Sequence, residues 1–526
     1  MKRIVFFAIT LGLIGLQYGC SNSGELEEEL KTEMVSMTFD EKHRSQYHFT
    51  PPQQWMNDPN GMVFYDGEYH LFYQHYPDSN VWGPMHWGHA VSTDMVHWEH
   101  LPIGLYPDEL GYIFSGSAVV DWENTSGFGD GSEPPLIAIY TYHEPVKAQD
   151  PESVDIQYQG IAYSLDKGRT WIKYEGNPVL DNPGIRDFRD PKVMWYQEGQ
   201  KWIMTLAVKD KISFYSSPDL KTWTFESDFG EGLGGHGGVW ECPDLFKLPV
   251  TGAGEEKWVL LVSINPGGPA GGSATQYFVG EFDGSVFSLD PSFVPEVTPV
   301  DGQEQAVWID YGPDNYAGVT WSDIPESDGR RLFIGWMSNW HYAQVVPTTV
   351  WRSAMTIPRE LRLHKRAGSY RLSSKPVDEM QGIMDQPVDV SAQIQSEVVL
   401  DDSLFALDLG GGNLEGIQLT ISNNVGELVS ISIENDQLRF DRSQSGIVDF
   451  QDSFAAAHLA PLEGLIAERV QVFVDLSSVE VFVNDGAVVM TELIFPNRPY
   501  NTISLEGNVD SAMMHSVSGI WNTVME

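Results

Sequence analysis

Three carboxylates stand in similar company along this chain. Asp58 lies in "QQWMNDPNGM", Asp190 in "GIRDFRDPKVMWY" and Glu241 in "HGGVWECPDLFKL". Each acid is followed, directly or after one residue, by a proline, and each has aromatic, strand-like residues nearby. Proline fixes φ, glycine permits unusual turns, and asparagine can bond to backbone or ligand. Around Asp58 these residues describe an acid held in a turn ahead of the strand-like run "MVFYDGEYHLFYQHY". Glu241 follows Val239 and Trp240, and burial beside such neighbours raises a carboxyl pKa, as a general acid at neutral pH requires. Arg189 precedes Asp190 in an extended segment, where adjacent side chains face opposite ways and need not pair. Each acid also has a plain structural reading: an Asx turn, a strand-capping turn and an exposed strand end. Together they match what acetal hydrolysis needs: one carboxylate to attack, one carboxyl to protonate the leaving oxygen, and polar groups to grip a sugar.

Acids this far apart in sequence need a scaffold that converges. From about residue 44 to 370 the chain reads as short aromatic and β-branched runs broken by Gly, Pro, Asp and Asn. A loose repeat recurs as "STDMVHWEH" from Ser92, "SLDKGRTWIKY" from Ser164 and "SPDLKTWTFES" from Ser217. Each has Ser-x-Asp and then Trp four or five residues after the Asp, which suits the outer hairpin of a propeller blade. In a propeller the innermost strands meet at one axis and bring distant residues together. Residues 371–384 read as a linker with a turn or two of helix. Alternating strands from 385 to 526, such as "VQVFVDLSSVEVFVNDG", point to a β-sandwich. The fold class is therefore all-β.

Composition narrows the partners. The formal charge of −43, from 31 basic and 74 acidic residues, argues against nucleic acid and anionic polymers and leaves a neutral substrate indifferent. The 14 histidines show neither HExxH nor paired Cys/His spacing, so neither a metal nor a cofactor is expected. The stretch "GLGGHGG" (232–238) is followed by no lysine and reads as a flexible loop near Glu241.

Residues 1–19 carry Lys2 and Arg3 and an apolar run from Ile4 to Leu16, too short to span a bilayer and suited to a signal peptide. The run ends at Gly19-Cys20 and resembles a bacterial lipobox, although Leu16 stands four residues before the cysteine rather than three. Residues 20–43, beginning "CSNSGELEEEL", read as an acidic tether from a lipidated Cys20. They resemble the export signals of surface lipoproteins, which implies an outer-membrane protein, on the cell surface with a periplasm-facing placement as the alternative, touching membrane only through its lipid. Cys242 is then the one free thiol, a small buried residue rather than a nucleophile, and no intrachain disulfide is available.

The motifs "WMNDPNG", "FRDP" and "WECPDLF" resemble the three signatures of glycoside hydrolase family 32, the invertases, inulinases and levanases. The surrounding segments "YHFTPP", "LFYQ", "WGHAVSTDMVHW", "FSGSAV", "DYGPDNYA", "WMSNW" and "VPTTVWRSAMTIPREL" are similar too, and the likeness runs from about Tyr47 to "DLSSVEVFVNDG". The resemblance implies a five-bladed propeller with a β-sandwich behind it, cleaving β-fructosyl bonds of levan, inulin or sucrose with retention. By motif, Asp58 would be the nucleophile, Glu241 the acid/base and Asp190 the transition-state stabiliser. Asn57, Pro59, Asn60, Gln74, Trp82, Phe114, Ser115, Arg189, Trp336 and Trp340 would line the sugar pocket. The text around "SNWHYAQVVPTTVWRSAM" is similar to exo-acting inulinases and levanases, which implies fructose released from chain ends. A fructosyltransferase or a non-catalytic fructan-binding lipoprotein on the same scaffold are the alternatives.

Overall fold

The structure, a computed structural model, describes residues 38–521. The signal peptide, Cys20 and the tether as far as residue 37 lie outside the described residues. Five sheets follow one another along the chain, and two six-stranded sheets come after them. The first strands of the five sheets are Gln54–Tyr65, Tyr112–Val120, Phe188–Tyr196, Val239–Pro249 and Tyr316–Thr320. These strands touch one another in a closed ring, each blade's remaining strands extending outward from it. This is a five-bladed propeller. Its apolar residues lie between blades; Trp87, Trp240, Trp321 and Tyr140 are fully buried there.

The recurring Ser-x-Asp segments join the third and fourth strands of blades one, two and three. In each, the serine hydroxyl bonds to the aspartate two residues on, at 3.0 Å for Ser92 and Asp94, 2.7 Å for Ser164 and Asp166 and 3.2 Å for Ser217 and Asp219. The aspartate then accepts backbone N–H groups from the turn, such as Val96 and His97 on Asp94. Side-chain oxygens that satisfy turn amides fix the bend locally, so these hairpins form wherever the residues occur. The ring closes by long-range pairing instead. Trp351–Arg352, downstream of blade five's second strand, pairs parallel with Gln54–Trp55 of blade one, and Gln54 N donates to Val350 O at 2.8 Å.

Two expected boundaries move. Residues 371–376, expected in a linker, belong to Ser369–Pro376, the outermost strand of blade five, paired residue by residue with Arg359–Arg366. Six of its eight residues are buried, only Arg371 and Lys375 being half-buried, and the short helix Asp378–Ile383 follows. Residues 38–43 are not free tether either. Phe39 is buried and stacks on Trp521 at 4.5 Å, and Glu41 holds the buried Arg44 at 2.6 Å.

The sandwich packs its two sheets around Phe405, Leu407, Ile431, Phe440, Val472 and Val481. Buried charges stitch it to the propeller. His48 bonds to Asp475 at 2.7 Å and Glu480 at 2.9 Å, while Arg359 binds Glu480 at 2.5 Å and Asp310 at 2.9 Å. Burial alone would lower the His48 pKa, but the hydrogen bonds and charges of the two carboxylates carry it up to about 9. Its contribution is complete below the ordinary histidine pKa near 6.5 and is lost as pH rises through about 9. Replacing Arg359 by Met leaves Asp310 buried without its guanidinium and Glu480 with His48 alone, so it should destabilise the chain by about 3–5 kcal/mol, read from the urea midpoint. An unchanged midpoint would remove this network from the account of how the domains are joined.

Candidate active site

Every one of the five inner strands is bulged near its start. The register slips between Met56 and Pro59, Ile113 and Gly116, Glu241 and Asp244, and Tyr316 and Val319, and across from Arg189 and Lys192 in blade three. A bulge leaves a residue unpaired and re-aims its side chain. Asp58, Ser115 and Asp190 fall inside such slips, while Glu241 and Tyr316 are the last paired residues before theirs, opposite Ser263 and Trp336. The prolines after the acids now have their reason: a residue without an N–H is tolerated inside a strand where the ladder is already broken. Asp58 therefore sits within a strand, Gln54–Tyr65, and not in a turn ahead of one. Backbone φ is +63° at Asp190 and +45° at Cys242, conformations that non-glycine residues adopt only where the surroundings hold them.

Asp58 accepts hydrogen bonds from Asn57 Nδ2 at 2.9 Å and Ser115 Oγ at 2.8 Å. Asn57 is itself aimed by Trp55 Nε1, which donates to its Oδ1 at 2.7 Å. Burial pushes the Asp58 pKa above the usual carboxylate value, and the donors from Asn57 and Ser115 only partly offset it. Asp190 accepts Cys242 N at 3.0 Å, and its own N–H donates to Thr141 Oγ1 at 3.0 Å. Cys242 Sγ lies 3.7 Å from both Asp58 and Asp190. Burial and these neighbouring carboxylates push the thiol pKa far up, so it stays protonated and is a spacer rather than a nucleophile.

Glu241 accepts from Arg189 Nη2 at 2.8 Å and Nε at 3.2 Å, and from the Tyr316 hydroxyl through its other oxygen. Burial raises its pKa most. The Arg189 charge pulls it back and the Asp190 and Asp58 charges raise it again, leaving it at about 7. With one guanidinium among three carboxylates, burial leaves all three acids above their ordinary pKa. Arg189 is fixed on its far side by Asp187 at 2.6 Å and approaches Asp190 only to 3.9 Å.

Of the other expected pocket residues, Trp82 is exposed and meets Phe114 edge-on, with ring centroids 6.1 Å apart. Phe114 stacks on His143 at 4.3 Å. Gln74 is buried and its Nε2 has no hydrogen-bond partner. Trp340 is half-buried against Trp55 and Trp336. Trp336 is fully buried among Trp55, Tyr316 and Trp340. Pro59 and Asn60 are also buried, and Asn60 Nδ2 donates to the Asp58 carbonyl at 3.0 Å, bracing the bulge. The glycine-rich loop 232–238 is pinned, with Gly235 N on Gln276 and Trp240 Nε1 on Gly235 O. Among the described residues no group of three or more His, Cys, Asp or Glu could hold a metal ion.

Tyr316 was not picked out by sequence reasoning. It lies in "DYGPDNYA", where the phenol has no acid beside it in sequence, and it meets Glu241 only across the contact between blades five and four. A donor to the carboxylate favours the charged form, so Tyr316→Phe should move the alkaline limb of the pH–activity profile to higher pH and lower kcat about tenfold. An unmoved limb would mean that the phenol does not set the proton on Glu241.

Against known families, the glycosyl hydrolases family 32 N-terminal domain matches residues 48–376 and the family 32 C-terminal domain matches 383–519. The chain belongs to glycosyl hydrolase family 32. Within that family it is 48% identical over 510 residues to a levanase of Bacillus subtilis (strain 168), covering 93% of this chain and 72% of that protein. It is 38% identical over 527 residues to an extracellular exo-inulinase of Aspergillus niger, covering 93% and 97%. The crystal structure of an exo-inulinase from Aspergillus awamori superposes with a TM-score of 0.83 at 36% identity, covering 92% of this chain and all of that one. The three acids of this family 32 chain thus sit in the propeller, on the innermost strands of blades one, three and four.

Proposed function

We propose that this protein is a retaining, exo-acting β-fructosidase that removes fructose from the ends of levan or inulin chains, and from sucrose. The observation that carries the reading is the convergence of Asp58, Asp190 and Glu241 on three bulged inner strands, with Glu241 poised to hold a proton near neutral pH. Likeness to a levanase and to exo-inulinases supports the substrate class. Asp58 attacks the anomeric carbon as Glu241 donates its proton to the leaving oxygen, breaking the glycosidic bond and forming a fructosyl ester on Asp58. Glu241, now a carboxylate, takes a proton from water, whose oxygen attacks the same carbon and releases Asp58. Two displacements at one centre restore the starting configuration. Asp190 accepts fructosyl hydroxyls and opposes the positive charge that develops on the ring, while Arg189 and Tyr316 hold Glu241 in line.

The test is a product profile at low conversion on levan, inulin and sucrose in separate reactions. Fructose alone from the polymers is expected; a ladder of oligosaccharides would replace the end-acting pocket by an open cleft. We further propose that Cys20 is lipidated and that residues 21–37 tether the enzyme to the outer membrane, facing outward. Cys20→Ser should then release the protein from the membrane fraction, and a membrane-bound Cys20→Ser protein would refute the anchor.

A further inference from the structure

The inner strands that carry the acids at their starts enclose a second space at their ends. A cavity of about 860 Å³ is lined by Val119 and Val120 of blade two, Lys192 to Trp195 of blade three, Asp244 to Lys247 of blade four, and Asp323. Blades one and five run in the same direction where they meet, Val63 pairing parallel with Ser322. The cavity therefore opens at the opposite mouth of the propeller from the catalytic acids. Asp190 and Met194 are four residues apart on one strand, about 13 Å at the usual rise. Between them the axis is plugged: Lys192 Nζ lies 3.5 Å from Asp244 and donates to Thr320 O, and Thr320 N and Oγ1 both donate to Asp244.

The size falls in the range of small-ligand sites, and the rim carries indoles. Trp122 is 60% exposed, unusual for so large an apolar ring, yet it is held still: its Nε1 donates to Asp323 at 3.0 Å, and Asp323 is in turn fixed by Val120 N at 3.0 Å. Trp195 is half-buried, its Nε1 donating to Gln197 at 2.9 Å, with Trp202 edge-on behind it at 5.1 Å. Rigid indoles with a free face lose little entropy on contact. Three basic and four acidic side chains line the cavity, so its charges nearly cancel, in a chain whose net charge already repels anions. Fixed aromatic faces, side-chain amides and near-neutral charge suit a ligand with apolar faces and many hydroxyls.

We propose that this far mouth is a second carbohydrate-binding site, taking a neutral saccharide with Trp122 and Trp195 as its stacking faces. On the fructosidase reading, on which the identity of the sugar rests, the ligand is a stretch of fructan held away from the cleavage site.

The experiment is calorimetric titration of the Asp58→Asn chain, which binds without turning over, with an inulin-type fructo-oligosaccharide. Two binding events are expected. Adding Trp122→Ala, or separately Trp195→Ala, should weaken one of them about tenfold and leave the other unmoved. Thermal midpoints of both variants confirm folding, and Trp122, being exposed, is the safer change. A single binding event, or a second one indifferent to both tryptophans, overturns the proposal. Failure of the fructosidase reading is seen separately, as no fructose released by the wild-type enzyme from any fructan.

Discussion

Asp58→Asn lowers fructan turnover by roughly 10⁴-fold or more while the chain remains folded. The amide keeps the shape of the carboxylate and can still meet Ser115, so the bulge between Met56 and Pro59 is not disturbed. What it lacks is the charge that attacks the anomeric carbon. Stability gives an internal control. Burial raises the Asp58 pKa in the fold, so its ionised form opposes folding at pH values above the unfolded carboxylate range. Removing that charge near pH 7 also relieves the repulsion that Asp58 exerts on Asp190 and Glu241. The Asp58→Asn protein should therefore melt at or above the wild-type temperature. Inactivity with an unchanged or higher Tm assigns the loss to chemistry. Near-normal turnover would remove Asp58 from the reaction.

Glu241→Gln has a different signature. Turnover falls by about 10²–10⁴-fold, the usual range for losing a general acid/base, and falls less for substrates whose leaving group departs without protonation. The pH profile changes shape as well as height. In the wild type the donor is the protonated form, so activity declines as pH rises through about 7, where Glu241 ionises. The glutamine variant has no such proton to lose, and its residual activity should lack that alkaline limb. A variant that keeps the wild-type limb would place the ionisation on another group, Asp190 being the nearest candidate, since burial raises its pKa as well.

Much of this arrangement is legible in the sequence because it is local. The Ser-x-Asp turns build themselves from residues within four positions, and the "Ser-x-Asp…Trp" pattern marks the outer hairpins of blades one to three. The acids announce themselves by their prolines, which have no place in an unbroken strand. The bulges themselves are not legible, because a slip in register is a property of two strands. Pro59 beside Asp58 suggests a turn as readily as a bulge until Glu68–Tyr76 is seen pairing across it. Tyr316 is missed for a similar reason, since its contact with Glu241 is made between two blades and not within one strand. The outermost strand Ser369–Pro376 is mistaken for a linker because its pairing, not its composition, defines it. The charges joining the two domains, His48, Arg359 and Glu480, are spread over more than 400 residues and show no motif.

The central claim is that a fructosyl group rests covalently on Asp58 between two displacements. The direct measurement is peptide mass mapping of the Glu241→Gln protein, quenched in acid during turnover of a fructosyl donor with a good leaving group. Slow release from Asp58 in that variant lets the ester accumulate. The expected result is one fructosyl unit on the peptide containing "QQWMNDPNGM", at Asp58. A fructosyl unit on another carboxylate, or none at all with the released fructose inverted, would contradict it.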